Sequence, residues 1–387
     1  MRIGIDARFL THPQAGGFKT YTENLVRSLG QVDERNEYVV YVDRNPASIN
    51  LPRHPRFSYC TVDGAFPGFG MPLREQVKLR RQIRRDRPLD TIHFLCNTAP
   101  AGLAQNYVVT LHDTIQIEPG PPAGAAPGAN SLKRWAISSY SKWTILQAVR
   151  SARRVITVSE HEKARIVQLL GIDPQCVCVT HLAPNPVFAP ASNVQKRQWR
   201  DELRNEHDLP ERYVLAVGFE PRKNIPLVID AFTQLTPDCP DLGLVVVAAE
   251  EGQRRHFERP AHERQLSDRS LILGATSPSM LAILYNLATV FVFPSERESF
   301  GLPPLEAIAC GTATIAMRKT SLPEILQDGA LYVDHADADA WARAIGQVVG
   351  DDALRKDLSN RGLIQAATFS WTKCASETTA VYQTAVG

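Results

Sequence analysis

Several features are missing from this 387-residue sequence, and each absence excludes a class of protein. No apolar run approaches the length of a membrane-spanning helix. The opening residues, MRIGIDARFL, lack the apolar core and the small-residue cleavage site of a signal peptide. A net charge of +2 gives no global field that would attract nucleic acid. We therefore predict a cytoplasmic protein that neither spans a membrane nor binds nucleic acid.

Cysteine and glycine motifs are also absent. The seven cysteines are scattered, and no paired CxxC motifs have the spacing of a metal site. The first apolar run is not followed by GxGxxG, since AGGFKTY does not supply it, which disfavours a nicotinamide-dependent dehydrogenase. We expect reduced cysteines and no cofactor.

What the sequence has is a regular alternation of short apolar runs and amphipathic helical stretches. The length suits two domains, and strands that are apolar throughout are typical of parallel sheets covered by helices on both faces. The predicted strands are 2–7, 38–42, 91–95, 107–111, 154–158 and 176–180, then 213–217, 243–248, 270–273, 289–293, 313–316 and 330–333. The predicted helices are 18–29, 73–85, 131–149 and 160–170, then 225–235, 277–287, 302–310 and 337–349. Two α/β domains of doubly wound, Rossmann-like type follow from this pattern.

A proline-rich stretch at 181–193 predicts a semi-rigid linker between the domains. We place the first domain at 1–185 and the second at 194–369. The closing helix, within 370–387, has no strand after it, and we expect it to cross back onto the first domain.

Unusual residues follow four of the predicted strands, and in open α/β sheets ligands bind outside the carboxyl ends of strands. They are GG at 16–17, His112 with Asp113, GFEPRKN at 218–224 and SERESFGLPP at 295–304. Two of these segments belong to each domain. We therefore expect the domains to face a deep cleft in which the four segments converge.

The segments of the second domain have the chemistry of an anion site. Gly218 permits a close backbone approach, and Arg222 and Lys223 place two cations beside the start of a helix. A further helix starts near Leu302, because prolines at 303–304 favour a helix start. The backbone N–H groups of Ser299, Phe300 and Gly301, with the positive helix end, form a site for phosphate. Two cations and a helix N-terminus suit a diphosphate better than a single carboxylate.

Two glutamates lie at this seam, and acceptor-only side chains there can bind hydroxyl groups. We interpret Glu298 as binding hydroxyls of an attached sugar and Glu306 as binding those of a ribose. Simpler readings exist for each residue alone. The charged pair at 222–223 can be solvated surface, Glu306 can be an acidic residue of a first helical turn, and His112 can be a structural histidine.

With these residues assembled, the chain resembles the retaining glycosyltransferases of family 4, which have the GT-B fold. The likeness covers nearly the whole chain: GGFKTYTENL, VVTLHD, VITVSEHEKARI, VGFEPRKN, ERESFGLPPLEAIACGT, LPEI with GALYVD, and FSWTKCASETTAVY. Glu298 and Glu306, with seven residues between them, match the EX7E signature of that family. Among its subgroups the chain is most similar to bacterial mannosyl- and rhamnosyltransferases that build surface polysaccharides, including lipopolysaccharide.

The resemblance implies roles for individual residues. Arg222 and Lys223 would neutralise the donor diphosphate, and the amides of 300–301 would contact its phosphates. Gly17 would lie near those phosphates, and His112 near the sugar and the reacting face. One position departs from the family pattern, because Lys19 replaces the small residue common two places after the glycine. Lys19 either weakens the approach of this loop to the phosphates or adds a third cation.

We therefore expect a retaining hexosyltransferase that uses a nucleoside diphosphate sugar and a saccharide or lipid-linked acceptor. The alternatives are another nucleotide-sugar enzyme of GT-B fold, such as an epimerase or a synthase acting on a sugar phosphate, and a non-catalytic sugar-binding scaffold. The arginine-rich helix 74–87 is expected to be solvated, with peripheral contact with the inner membrane as the alternative.

No metal is expected at the site. DHADADA, at 334–340, contains a DxD spacing that other glycosyltransferases use for a cation. Here it precedes a helix, where Asp337 and Asp339 suit the N-cap and the first turn.

Overall fold

The computed structural model describes residues 1–12, 16–44, 54–63, 70–86, 88–118, 131–218, 220–248 and 251–386. The chain divides into two compact units. Unit 1 comprises Met1–Leu182 together with Ser370–Gly387, and unit 2 comprises Ala183–Phe369.

Unit 1 is built on a seven-stranded parallel sheet with the order β3-β2-β1-β4-β5-β6-β7. Its strands are β1 Arg2–Asp6, β2 Glu37–Val42, β3 Phe57–Thr61, β4 Thr91–Phe94, β5 Tyr107–Thr110, β6 Arg154–Thr157 and β7 Val177–Val179. Its helices are α1 Gly17–Val32, α2 Gly70–Leu73, α3 Arg80–Arg85, α4 Ser131–Ser151 and α5 Glu160–Leu170, and a π-helical stretch, Arg74–Leu79, joins α2 to α3. The strand order reverses between β1 and β4, and this reversal is the position at which doubly wound sheets bind ligands.

Unit 2 is built on a six-stranded parallel sheet with the order β10-β9-β8-β11-β12-β13. Its strands are β8 Arg212–Val217, β9 Leu242–Val247, β10 Ser270–Leu273, β11 Val290–Phe293, β12 Thr314–Met317 and β13 Leu331–Val333. Its helices are α6 Asn193–His207, α7 Ile225–Leu235, α8 Glu251–Glu263, α9 Pro278–Leu287, α10 Leu302–Ala309, α11 Leu322–Leu326, α12 Ala338–Gly350 and α13 Asp352–Ala366. Here the order reverses between β8 and β11. The two doubly wound sheets confirm the predicted pair of Rossmann-like domains.

The last helix, α14 (Trp371–Val386), belongs to unit 1, which confirms that the chain returns to its first domain. Its Trp371 ring lies 6.1 Å from the ring of Tyr21 in α1. Its Tyr382 is fully buried, and the hydroxyl lies 2.8 Å from Nδ1 of His93 in β4. Burial lowers the pKa of His93 to about 3, so this histidine is neutral and joins α14 to the sheet through a hydrogen bond without a charge.

Several elements were not predicted from the sequence, namely β3, α6, α8, α11 and α13. β3 is an edge strand whose side chains are only half-buried or exposed, so it lacks the continuous apolar run that marks a central strand. α6 has few apolar residues and buries only Leu203, and the apolar residues of α13 do not follow a helical period, so neither shows the apolar stripe of a core-facing helix. Within the described ranges, no helix is both long enough and apolar enough to cross a membrane.

Candidate active site

Lys223 is positioned by the backbone turn that follows β8. Gly218 has φ +137°, and a Cβ atom on it would lie 2.6 Å from Cγ of Lys223, so only glycine leaves room for the lysine stem. Lys223 closes a 3₁₀ turn, Pro221–Lys223, and is 6% exposed. Its Nζ lies 4.5 Å from the ring centroid of Phe293, the last residue of the neighbouring strand β11. The aromatic face stabilises a cation that has little access to water.

Glu298 is the carboxylate that these cations surround. One oxygen, Oε1, accepts hydrogen bonds from Nζ of Lys223 at 2.6 Å, Nη1 of Arg222 at 2.7 Å and Oγ of Ser295 at 2.6 Å. Burial acts to raise the pKa of Glu298, but the charges of Lys223 and Arg222 outweigh it and hold that pKa below its ordinary value. The glutamate is therefore ionised, and it forms ion pairs with both cations at the strand-order reversal of unit 2.

The loop that carries Glu298 is held by two hydroxyl residues after β12. The backbone N–H of Glu298 donates to Oγ1 of Thr320 at 3.1 Å. The Ser321 hydroxyl is fully buried, and it lies 2.9 Å from the carbonyl oxygen of Glu298 and 3.1 Å from that of Phe300. These contacts fix the backbone on both sides of Ser299 and so orient the glutamate toward the cations.

The start of α10 lies directly after this loop. Gly301 is the N-cap with φ +101°, and a Cβ atom there would lie 2.6 Å from Cδ2 of Leu322. No described side chain caps the helix. Pro303 and Pro304 have no N–H and the N–H of Leu305 donates to the carbonyl oxygen of Gly301, so the Leu302 amide and the positive helix end are what the first turn offers to an anion. Phe300 is buried against Phe369, with ring centroids 5.8 Å apart and edge-on geometry.

Glu306 is the second glutamate of the predicted pair, and its surroundings differ from those of Glu298. It is 9% exposed, and no side-chain hydrogen bond joins it to any residue that the structure describes. Burial raises its pKa to about 8, because the charge of Lys223 offsets only part of the cost of ionising a buried carboxyl. Glu306 is a buried carboxyl whose hydrogen-bonding capacity is unused by the described part of the chain.

In unit 1 the predicted site residue at a strand end is His112, which follows β5. Its Nε2 lies 2.8 Å from the carbonyl oxygen of Leu95, and since a carbonyl can only accept, Nε2 carries the hydrogen and Nδ1 is an acceptor. Burial lowers the pKa of His112 to about 4, so the ring is neutral near pH 7. The rings of Tyr21 and Phe18 in α1 pack edge-on against it, at 4.6 and 5.1 Å.

The remaining predicted residues of unit 1 lie in the same region. Gly17 opens α1, and a Cβ atom there would meet no atom of the described residues within 4 Å. Lys19 donates from Nζ to the carbonyl oxygen of His12 at 3.2 Å, so it is directed at the segment before α1. Asp113 accepts from the N–H of Ile115 at 3.0 Å, which closes a turn after His112. The structure thus brings the start of α1 to His112, and in unit 2 it brings Arg222 and Lys223 to Glu298.

The residues that hold the predicted ones in place were not predicted from the sequence: Phe293, Ser295, Thr320, Ser321 and, in unit 1, Asn97. Ser295 could have been found as the only hydroxyl side chain between the end of β11 and Glu298. The others become visible only when separate strands are placed side by side.

The DxD segment serves a helix, as predicted. Asp337 is the N-cap of α12, and its side chain accepts from the N–H of Ala340 at 2.9 Å. Asp339 accepts from Nε2 of Gln234 at 2.7 Å. Among the residues that the structure describes, no group of three or more His, Cys, Asp or Glu side chains is placed to hold a metal ion.

Comparison with known families matches each unit separately. Residues 15–186 match the family model "Glycosyltransferase Family 4", and residues 198–364 match "Glycosyl transferases group 1". All but the last four residues of the first match lie in unit 1, and the second match lies in unit 2.

Curated relatives include O-antigen chain mannosyltransferase B of Escherichia coli, which is 30% identical over 246 residues, or 63% of this chain and 64% of that protein. D-inositol 3-phosphate glycosyltransferase of Salinispora tropica is 32% identical over 256 residues, or 62% of this chain and 52% of that protein. The chain thus spans less than two thirds of the length of these relatives.

Solved structures resemble the whole chain. Sucrose-phosphate synthase from Thermosynechococcus elongatus aligns with a TM-score of 0.75 at 21% identity, covering 99% of this chain and 98% of that one. Anabaena HepE, solved with UDP and glucose, aligns with a TM-score of 0.70 at 15% identity over 99% of each chain. At these identities the likeness establishes the fold.

Proposed function

We propose that this chain, which belongs to the family 4-like glycosyltransferases of GT-B fold, transfers a hexose from a nucleoside diphosphate sugar to a hydroxyl of a saccharide or lipid-linked glycan. The likeness to an O-antigen mannosyltransferase supports a mannose-like sugar and a role in surface polysaccharide synthesis. We assign the donor to unit 2 and the acceptor to unit 1, and we propose that the anomeric configuration is retained.

One observation supports this proposal most: two cations converge on a single carboxylate oxygen, that of Glu298, beside an uncapped helix start. A diphosphate would compete with Glu298 for Arg222 and Lys223, because both are anions that accept charge-assisted hydrogen bonds from the same donors. Once released from the cations, the glutamate becomes an acceptor for hydroxyls of the donor sugar. In its present position it is paired with both cations until the diphosphate arrives.

The chemistry follows from charge. The acceptor hydroxyl oxygen forms a bond to the anomeric carbon while the bond from that carbon to the diphosphate oxygen breaks. Arg222, Lys223 and the positive end of α10 at Leu302 stabilise the charge that develops on the leaving diphosphate. The hydroxyl proton passes to the departing phosphate oxygen, which leaves from the face that the acceptor attacks, so the configuration is retained. The protein mainly positions the reactants and stabilises charge, and no divalent cation is needed.

Nucleotide binding tests the donor half of this proposal. In a thermal-shift panel of GDP, UDP and dTDP, at least one should stabilise the protein, by about 2.7 kcal/mol at a hundred times its dissociation constant. Lys223→Met should abolish this stabilisation, because it keeps the aliphatic stem and removes the charge. Lys356→Met, on the exposed face of α13, makes the same chemical change as a control and should retain it. No stabilisation of the wild type by any of the three would contradict the proposal.

A second candidate acceptor is a phosphorylated polyol, favoured by the likeness to D-inositol 3-phosphate glycosyltransferase. Transfer to D-inositol 3-phosphate and to methyl α-D-mannoside, compared with one donor, separates the two. Faster transfer to the mannoside supports the saccharide acceptor, and transfer to the inositol phosphate alone supports the second candidate. Donor consumption that needs no acceptor would point instead to an epimerase.

A further inference from the structure

Asn97 has an unusual conformation at the carboxyl end of β4. It is 3% exposed and has φ +62°, in the left-handed region that non-glycine residues seldom adopt. Its backbone N–H donates to the carbonyl oxygen of Thr110 at 2.9 Å, and its Oδ1 accepts from the backbone N–H of His112 at 2.8 Å. The side chain therefore bridges the ends of β4 and β5 directly beside His112. Strained residues of this kind concentrate at functional sites.

The other half of the amide is unused. Nδ2 of Asn97 is buried and has no hydrogen-bond partner among the residues that the structure describes. The assignment of oxygen and nitrogen is fixed by chemistry, because a flipped amide would set two donors, Nδ2 and the N–H of His112, against each other. A buried donor without a partner is costly, so the position favours a ligand oxygen at Nδ2.

Two of the other unpartnered buried atoms in unit 1 have a different explanation. Nη1 of Arg74 and Oδ1 of Asp43 also lack hydrogen-bond partners in the described part of the chain. Both belong to a buried ionic cluster, in which Nη2 of Arg74 lies 2.9 Å from Asp6 and Nε lies 3.6 Å from Oδ1 of Asp43. Their charges are compensated by each other, whereas the Asn97 donor has nothing comparable.

We propose that Asn97 is an acceptor-binding residue: its Nδ2 donates to a hydroxyl oxygen of the acceptor saccharide, and the hydrogen of that hydroxyl is accepted by Nδ1 of His112. This inference rests on the proposed glycosyltransferase function. A hydroxyl has one donor and accepts as well, so it satisfies an amide donor and an imidazole acceptor together. A phosphate or carboxylate has no hydrogen to give to Nδ1. The pair thus selects a neutral hydroxyl, in contrast to the charged cluster assigned to the donor in unit 2.

The test is an atom exchange at Asn97. Asn97→Asp keeps an oxygen to accept from the N–H of His112 and replaces the Nδ2 donor by an acceptor. Asn97→Gly is a second variant that adopts the positive φ without strain. The control is Asn286→Asp, since Asn286 is a buried amide whose Nδ2 is fully used, donating to the carbonyl oxygens of Ala189 and Ala282, both at 3.0 Å.

The assay measures GDP release from GDP-mannose as a function of methyl α-D-mannoside concentration, with Kd for GDP measured separately. Both Asn97 variants should raise KM for the mannoside at least tenfold and leave the KM for GDP-mannose and the Kd for GDP unchanged. Asn286→Asp should lower the melting temperature without changing KM for the mannoside.

An unchanged KM for the mannoside in folded Asn97→Asp overturns the inference and leaves the proposed function intact. A loss confined to the donor KM also overturns it, by placing Asn97 at the donor sugar. If GDP stabilises the wild-type protein in the thermal-shift panel but no GDP is released with this acceptor or with D-inositol 3-phosphate, the proposed function itself is contradicted, and the inference with it.

Discussion

Replacing Glu306 by glutamine removes a carboxyl whose pKa burial raises to about 8 from an ordinary 4.5. This difference in pKa means that ionising the group costs about 5 kcal/mol more in the folded protein than in water. At pH 7 such a carboxyl is about nine-tenths protonated. If both ribose hydroxyls donate to Glu306, one to each oxygen, the bound state needs the ionised form. A protonated carboxyl has a hydrogen on one of its oxygens, which then donates instead of accepting. Nucleotide binding should therefore release about 0.9 proton at pH 7.

Isothermal titration calorimetry of GDP binding, in buffers with different ionisation enthalpies, measures this proton release. The wild-type affinity should also rise as the pH increases from about 6 to 8. Glu306→Gln should bind GDP without proton release and with little pH dependence in this range. Glu263→Gln, an exposed residue of α8, is the control and should behave as the wild type. Wild-type binding that releases no proton, at an affinity independent of pH, would refute the assignment of Glu306 to the ribose.

The same carboxyl affects stability, with a definite sign. Its folded-state pKa lies above its unfolded value, so the folded protein binds this proton more tightly. The resulting stabilisation is fully present below about pH 4.5 and is lost as the pH rises through about 8. The free energy of unfolding of the wild type, relative to Glu306→Gln, should therefore fall across this interval in denaturant titrations at several pH values. A difference that stays constant would contradict the raised pKa.

Four further results are expected. Lys223→Met should lower turnover by about two to three orders of magnitude, the loss seen when one transition-state donor is removed, and near-normal steady-state rates in a folded variant would exclude this role. Glu298→Gln should retain nucleotide affinity in calorimetry but lose transfer, whereas lost affinity would move Glu298 to the base or ribose. Gly218→Ala places a methyl group 2.6 Å from the Lys223 stem at φ +137°, and its turnover should fall toward that of Lys223→Met; an unchanged rate would show that the stem can move. Dialysis against EDTA should leave activity unchanged, and Asp337→Asn should affect only the melting temperature; restoration of lost activity by magnesium or manganese would overturn the metal-free mechanism.

Much of the fold could be predicted from the sequence because its signals are local. The apolar runs that became central strands are continuous, and 225–235 and 270–273 match the observed α7 and β10 to the residue. Strand ends also predicted which segments face the ligand-binding edge, since polar residues directly after a buried parallel strand lie there whatever the topology. The edge strand β3 was not predicted, because its half-exposed side chains do not form a continuous apolar run.

The details of the site could not be read in the same way, because they depend on which strands are neighbours. The sequence indicated that Glu298 would accept from a sugar, but it gave no sign that this carboxylate lies between Arg222 and Lys223. That pairing requires β8 and β11 to be adjacent in the sheet, although 72 residues separate the end of β8 from the start of β11. The role of Asn97 could not be predicted for the same reason, since it depends on β4 lying beside β5. It also depends on a left-handed backbone conformation, which asparagine tolerates but which its presence in a sequence does not predict.

Product analysis tests the central claim most directly. The protein is incubated with GDP-mannose and methyl α-D-mannoside, and the products are identified by mass spectrometry and by NMR of the new anomeric centre. Retaining transfer predicts equal amounts of GDP and of a mannoside that has gained one hexose through an α-linkage, which is the configuration of the donor. A β-linked product, or GDP release that does not depend on the acceptor, would contradict it.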